Sequence, residues 1–234
     1  FLDVVPTFMG AHAVAEEYRQ EPADFIEKVI HEMLPAVSRQ GIAKYCDVFC
    51  EEGVFSIRQS REILEVAHRL GLGLKIHADE VHDLGGATLA AEMNAVSAEH
   101  LLAASDQGLS RMASSGTIAI LLPATAYSLG KPFARGRDMV NLGVPVALAT
   151  DCNPGSCFCE SMPFVFGLAV MGMRLSPEEA LVASTLNAAY AIGAADACGS
   201  IEPGKKADFL LLEGETPAIM AYHAGVSPVK AVYK

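Results

Sequence analysis

Three stretches of the sequence end a short apolar run in a histidine or an aspartate and follow it with more polar groups. They are Lys75-Ile-His77-Ala-Asp79-Glu80, Ser97-Ala-Glu99-His100 and Ala149-Thr150-Asp151-Cys-Asn153-Pro-Gly155-Ser156. Imidazole and carboxylate together suit zinc or iron, and two histidines with one aspartate leave coordination positions open for water. A metal held this way activates water and polarises a carbonyl. A lone histidine is more often a hydrogen-bonded core or surface residue, but three such groups in register argue for function. His31, His68 and His82 lack that company and carry no functional expectation.

For these residues to meet, the runs that carry them must be strands sharing one end. β-rich runs stand at Asp3–Phe8, Tyr45–Phe49, Leu74–His77, Ala95–Glu99, Thr117–Leu121 and Pro145–Thr150. Helical stretches separate them near Pro22–Arg39, Ile57–Leu70, Gly86–Met93, Asp106–Ser114 and Arg135–Asn141, and Glu160–Met171 and Pro177–Ala188 follow. That alternation is the pattern of repeated βα units, and near-continuous apolar strands imply cover on both faces. In a (β/α) barrel the C-terminal strand ends converge on one mouth, so residues distant in sequence meet there. Ser56 with Gln59 predicts a capping box for the second helix, and Gly71 its stop.

Near residue 199 the texture changes. Gly199-Ser-Ile-Glu-Pro-Gly-Lys-Lys-Ala-Asp-Phe-Leu-Leu-Leu reads as turns leading into a strand, and Val229–Tyr233 as another. The expected organisation is an α/β barrel domain over residues 1–198 and part of a small β-sandwich over 199–234.

Composition narrows the partners. The 234 residues are 51% hydrophobic and 19% charged, as in a chain with a sizeable core. Twenty-eight acidic against 17 basic residues give a formal charge of −11, with no basic cluster beyond Lys205-Lys206, so no nucleic acid is expected. The six cysteines show no CxxC spacing and read as free thiols in a reducing cytoplasm. No apolar run reaches membrane-spanning length unbroken, so no membrane partner is expected either. The oligomeric state stays open, a homodimer among the options.

A barrel with strand-borne histidines and a final strand-borne aspartate resembles the amidohydrolase superfamily. Asn187-Ala-Ala-Tyr-Ala-Ile-Gly, followed by Gly199 to Asp208, is similar to that superfamily's exit from the barrel into a small β-sandwich. Finer motifs, Thr7-Phe-Met-Gly-Ala-His12-Ala, Lys75 to Glu80, Leu84-Gly-Gly-Ala and Asp151 to Ser156, resemble the imidazolonepropionase family from about Thr7 to Asp208. The resemblance implies metal-dependent hydrolysis of the cyclic amide of 4-imidazolone-5-propionate to N-formimino-L-glutamate, with one divalent or trivalent ion, zinc or iron. It implies His77 and Asp151 as metal ligands, Glu80, His100 and Asp151 as catalytic, and His12 as a substrate contact. Asn153, Gly155 and Ser156 are then expected to receive the substrate's carboxylate.

Chemistry agrees with those roles. Glu80 lies three residues after His77, beyond the strand end, where it can shuttle a proton to the leaving nitrogen. His100 can hold the water or the developing oxyanion. A glycine-containing loop near a helix start offers amides, with the Ser156 hydroxyl, to an anion, although Asn-Pro-Gly-Ser alone reads equally well as a tight turn. Lys75, two residues before His77 on the same strand face, has a charge role or none rather than that of a bridging carbamate.

One departure from the superfamily stands out: its first barrel strand carries a His-x-His pair, absent from this sequence. Counting back from Asp151 as the eighth strand makes Asp3–Phe8 the third. Strands 3–8 of a (β/α)8 TIM-type barrel are then expected, with the first two outside the sequence. The alternatives are a related deaminase acting on formiminoglutamate or a cyclic amidine, and a catalytically incomplete fragment.

Overall fold

Within each unit neighbouring strands of the βα succession run parallel, as that alternation requires. The computed structural model describes residues 2–234, in two units that divide between Thr117 and Ile118.

In the first unit β1 (Thr7–Ala11), β2 (Tyr45–Cys50), β3 (Gly73–Ala78) and β4 (Ser97–His100) lie side by side in that order, all parallel. The register sets Phe49 opposite His77 and His77 opposite Glu99. Every residue of β4 and most of β2 and β3 are buried, as expected for strands covered on both faces. Helix Ile57–Arg69 lays Ser60, Ile63, Leu64 and Ala67, one face at helical spacing, against β2 and β3. Burying Ile63 and Leu64 completely contributes about 1.5–3 kcal/mol each. The Ser56–Gln59 capping box is present, and Gly71 takes the left-handed conformation (φ 84°) that ends the helix.

Two expected elements differ in a way that proline explains. β1 begins at Thr7 rather than Asp3, just past Pro6, which has no N–H for a ladder. The helix expected over Pro22–Arg39 is α-helical at Pro22–Lys28 and Leu34–Gln40, with a π-turn at Val29–Met33 between. Pro35 cannot donate to the ladder and crowds the preceding turn, and the wider π-turn takes up that mismatch.

In the second unit β5 (Ile118–Leu121) and β6 (Val146–Leu148) pair in parallel. Helices Pro123–Ser128 and Gly136–Asn141 connect them, the first of which the sequence reading had not anticipated. The helix expected over Pro177–Ala188 breaks at Thr185 into Pro177–Ser184 and Leu186–Ala191. Ser184 Oγ donates to the Ala180 carbonyl and Thr185 Oγ1 to that of Leu181, competing with the backbone ladder at the break. β7 (Phe209–Leu212) and β8 (Val229–Tyr233) form an antiparallel pair, as the change of texture near residue 199 implied. No helix among the described residues is long and apolar enough to cross a membrane.

Backbone strain gathers where the motifs lie. Six described residues other than glycine have positive φ, and four of them, Asp79, His100, Leu101 and Asp151, sit at or just beyond the C-terminal ends of β3, β4 and β6. Such conformations persist where surroundings over-determine them, commonly at functional sites.

Candidate active site

The first unit builds a cluster from residues in and just after its four strands. His12 follows β1, Asp47 lies within β2, His77 is the penultimate residue of β3, and Glu99 and His100 close β4. One oxygen ties the first three together: Asp47 Oδ1 accepts from His77 Nδ1 at 2.9 Å and from His12 Nε2 at 3.1 Å. The rings of His12 and His77 meet edge to face with centroids 4.5 Å apart, and the His100 ring is 5.1 Å from that of His77. Burial alone would raise the Asp47 carboxyl, but the two imidazoles hold it far below the usual carboxylate range. Asp47 is therefore an acceptor, and both ring nitrogens facing it are donors.

His12, Asp47 and His77 each offer a ligand atom, all within 4.8 Å of one another, so a metal ion could be held here. The chemistry of the donor set fits one. A carboxylate on Nδ1 of His77 makes Nε2 the basic nitrogen, which is how proteins orient a metal-binding imidazole. Glu99 Oε2 is buried with no hydrogen-bond partner and lies 3.9 Å from His77 Nδ1, so negative charge accumulates where a cation would offset it. Burial and the neighbouring Asp47 push the Glu99 carboxyl up to about 7, against the opposing pull of Lys75 and His77.

Lys75 is buried beneath this cluster. Its Nζ donates to Ser97 Oγ at 2.7 Å, lies 3.8 Å from Glu99 Oε1 and stands 5.0 Å from the Tyr45 ring centroid. It is thus a charge partner of Glu99.

Glu80, in the loop after β3, brings Oε1 to 3.5 Å from His100 Nδ1. Burial, reinforced by His77, pushes the His100 imidazole down to about 3, so this ring is neutral near pH 7. A buried carboxylate ties that loop down. Asp79 Oδ1 accepts from the Leu84 and Gly86 amides and Oδ2 from that of Ala87, capping helix Gly86–Glu92 with a buried carboxylate. A carboxyl 3.5 Å from a neutral imidazole is an arrangement that can move a proton.

Asp151 and its loop belong to the second unit. Asp151 follows β6 by three residues and accepts from Thr125 Oγ1 at 2.6 Å through Oδ2. Asn153 Oδ1 accepts from the amides of Gly155 (2.9 Å) and Ser156 (2.8 Å) and from Ser156 Oγ (3.3 Å). The loop is therefore closed as an Asx-type turn, with its amides facing Asn153.

Sequence reading missed Asp47. The signal was present: one aspartate inside Tyr-Cys-Asp-Val-Phe-Cys, an otherwise apolar strand, is a buried charge that requires a partner.

A model of the amidohydrolase family matches residues 28–230 of the chain. The chain belongs to the amidohydrolase family. This amidohydrolase is 64% identical over 233 residues to the imidazolonepropionase of Syntrophobacter fumaroxidans, covering 100% of the chain and 55% of that protein. It is 63% identical to that of Desulfotalea psychrophila, covering 100% and 56%. The chain thus spans little more than half the length of the curated relatives it matches. Among solved structures it is similar to 5-methylcytosine deaminase from Klebsiella pneumoniae, with a TM-score of 0.77 at 16% identity, covering 100% of the chain and 62% of that structure. At that identity the likeness concerns the fold, and it agrees with the barrel class expected of the family.

Proposed function

We propose that this chain supplies most of the active site of an imidazolonepropionase, which opens the ring of 4-imidazolone-5-propionate by hydrolysis. The observation that carries the chemistry is Glu80 at 3.5 Å from His100, beside the His77 ring at the ends of β3 and β4. The substrate assignment draws on the two relatives just described.

His77 would be a ligand of one zinc or iron ion, with Asp47 fixing its ring, and Asp151 keeps the ligand role that the family resemblance implies. When bound, that ion supplies Lewis acidity to the attacked carbonyl and to water. Glu80 takes a proton from the attacking water as its oxygen bonds to the ring carbonyl carbon. It returns that proton to the ring nitrogen as the carbon–nitrogen bond breaks, so the carbonyl becomes a carboxyl and the nitrogen stays in the formimino group. His100, neutral, donates toward the developing oxyanion, and His12 contacts the ring. The loop of Asn153, Gly155 and Ser156 would bind the propionate, with Asn153 Oδ1 yielding its amides to the incoming carboxylate. We assign residues 1–198 to the barrel and 199–234 to the β-appendage.

The test uses a protein of the relatives' full length that carries this chain. Loss of the imidazolone chromophore and appearance of formiminoglutamate should depend on zinc or iron, stop on chelation and resume on metal return. A metal-replete protein that leaves the imidazolone intact overturns the assignment.

A further inference from the structure

Glu51 follows the last residue of β2, and its side chain is only 5% exposed. Neither lysine nor arginine meets it in any described ion pair; apart from the amide of Glu52, its side-chain partners belong to the loop after β3. Oε2 accepts from the Val81 amide at 2.9 Å and the His82 amide at 3.4 Å, while Oε1 accepts from His82 Nδ1 at 2.9 Å and from the Glu52 amide at 2.9 Å. The Val81 N–H and the Glu80 carbonyl belong to one planar peptide unit, so a bond to the first orients the second. Glu51 is itself fixed: its N–H donates to the Phe55 carbonyl, its carbonyl accepts from Val54, and the Phe55 side chain is wholly buried. Asp79 holds the far side of the same loop through Leu84, Gly86 and Ala87. Residues 80–83 are thus pinned between two carboxylates, one just after β3 and one just after its neighbour β2.

We propose that Glu51 is a positioning residue for the reaction: by holding the Glu80–Val81 peptide and His82 it sets the Glu80 carboxyl against His100. This rests on the reading of Glu80 as proton carrier. A carboxyl displaced by about 1 Å can lose about 10²-fold in rate with the binding groups untouched. Glu51→Gln replaces one acceptor oxygen by a donor that cannot receive an N–H, while keeping the volume.

The experiment compares Glu51→Gln, Glu51→Asp and Glu80→Gln in a protein of full length carrying this chain. It reads amide hydrogen exchange at Val81 and His82, metal content, kcat and KM. In Glu51→Gln, exchange at those two amides should quicken at least about tenfold. Metal content should hold, kcat should fall about 10–100-fold, and KM should stay within about twofold. Glu51→Asp keeps the carboxylate on a shorter stem and should recover part of both protection and kcat. If Glu51→Gln does not fold, the paired loss of Val81 protection and kcat is read from Glu51→Asp instead. Unchanged exchange at Val81 overturns the proposal. So does lost protection with kcat intact in a protein where Glu80→Gln is inactive. Full activity in Glu80→Gln sinks the reading of Glu80 itself, whatever Glu51 does.

Discussion

Nδ1 of His77 lies 2.9 Å from Oδ1 of Asp47, and that same oxygen holds His12 Nε2 at 3.1 Å. One buried carboxylate therefore orients two imidazoles delivered by different strands. Asp47→Asn keeps the shape of that side chain but removes the charge and half the acceptor capacity. Metal affinity, measured by chelator competition, should fall about 10–100-fold. Unchanged affinity would show that the His77 ring needs no such partner, and complete loss of metal would mark Asp47 as a direct ligand.

Glu80→Gln tests the proton carrier. In a protein of full length, turnover should fall about 10²–10⁴-fold with metal content retained. A normal rate would place the base elsewhere.

The carboxylate loop predicts a different kinetic signature. Ser156→Ala, or a substrate analogue lacking the propionate acid, should raise KM more than it lowers kcat, because the group binds ground and transition states alike. An analogue without the acid that keeps the same kcat/KM removes the propionate assignment.

Asp79 makes a stability prediction independent of activity. Its carboxylate accepts three amides at the start of helix Gly86–Glu92 while fully buried. Asp79→Ala leaves those donors without it and should lower unfolding free energy in urea by about 1.5–3 kcal/mol. A midpoint shift too small to register would mean that water replaces the carboxylate without loss.

The thiols should react in a fixed order. Burial pushes Cys46 up to about 12 and Cys50 up to about 11, and both are fully buried, whereas Cys152 is exposed. Alkylation at pH 8 should label Cys152 well before Cys46 or Cys50, which should react on unfolding. Local desolvation and the Glu160 carboxylate hold the Cys152 thiol above its ordinary value, so its rate should still climb above pH 9. Early labelling of Cys46 in native protein would contradict the buried β2.

Much of this protein is legible in its sequence, for reasons that act over a few residues. Apolar runs closed by His77, His100 and Asp151 announced parallel strands, because alternating βα units bury both faces of a strand and gather functional polar groups at the C-terminal strand ends. The Ser56–Gln59 capping box and the Gly71 stop are local hydrogen-bond and backbone-angle effects, and both stand as read. The role of Asp47 was not legible, although its oddity was. Its partners lie 35 and 30 residues away, at His12 and His77, and they meet it only through the parallel register of β1, β2 and β3. Glu51 is alike: its partners across the strand gap are the amides of Val81 and His82 and the His82 ring; an amide has no sequence signature, and nothing near His82 in the sequence points to Glu51. A strand's pattern decides which residues are buried, whereas the register between strands decides which buried charges share one oxygen.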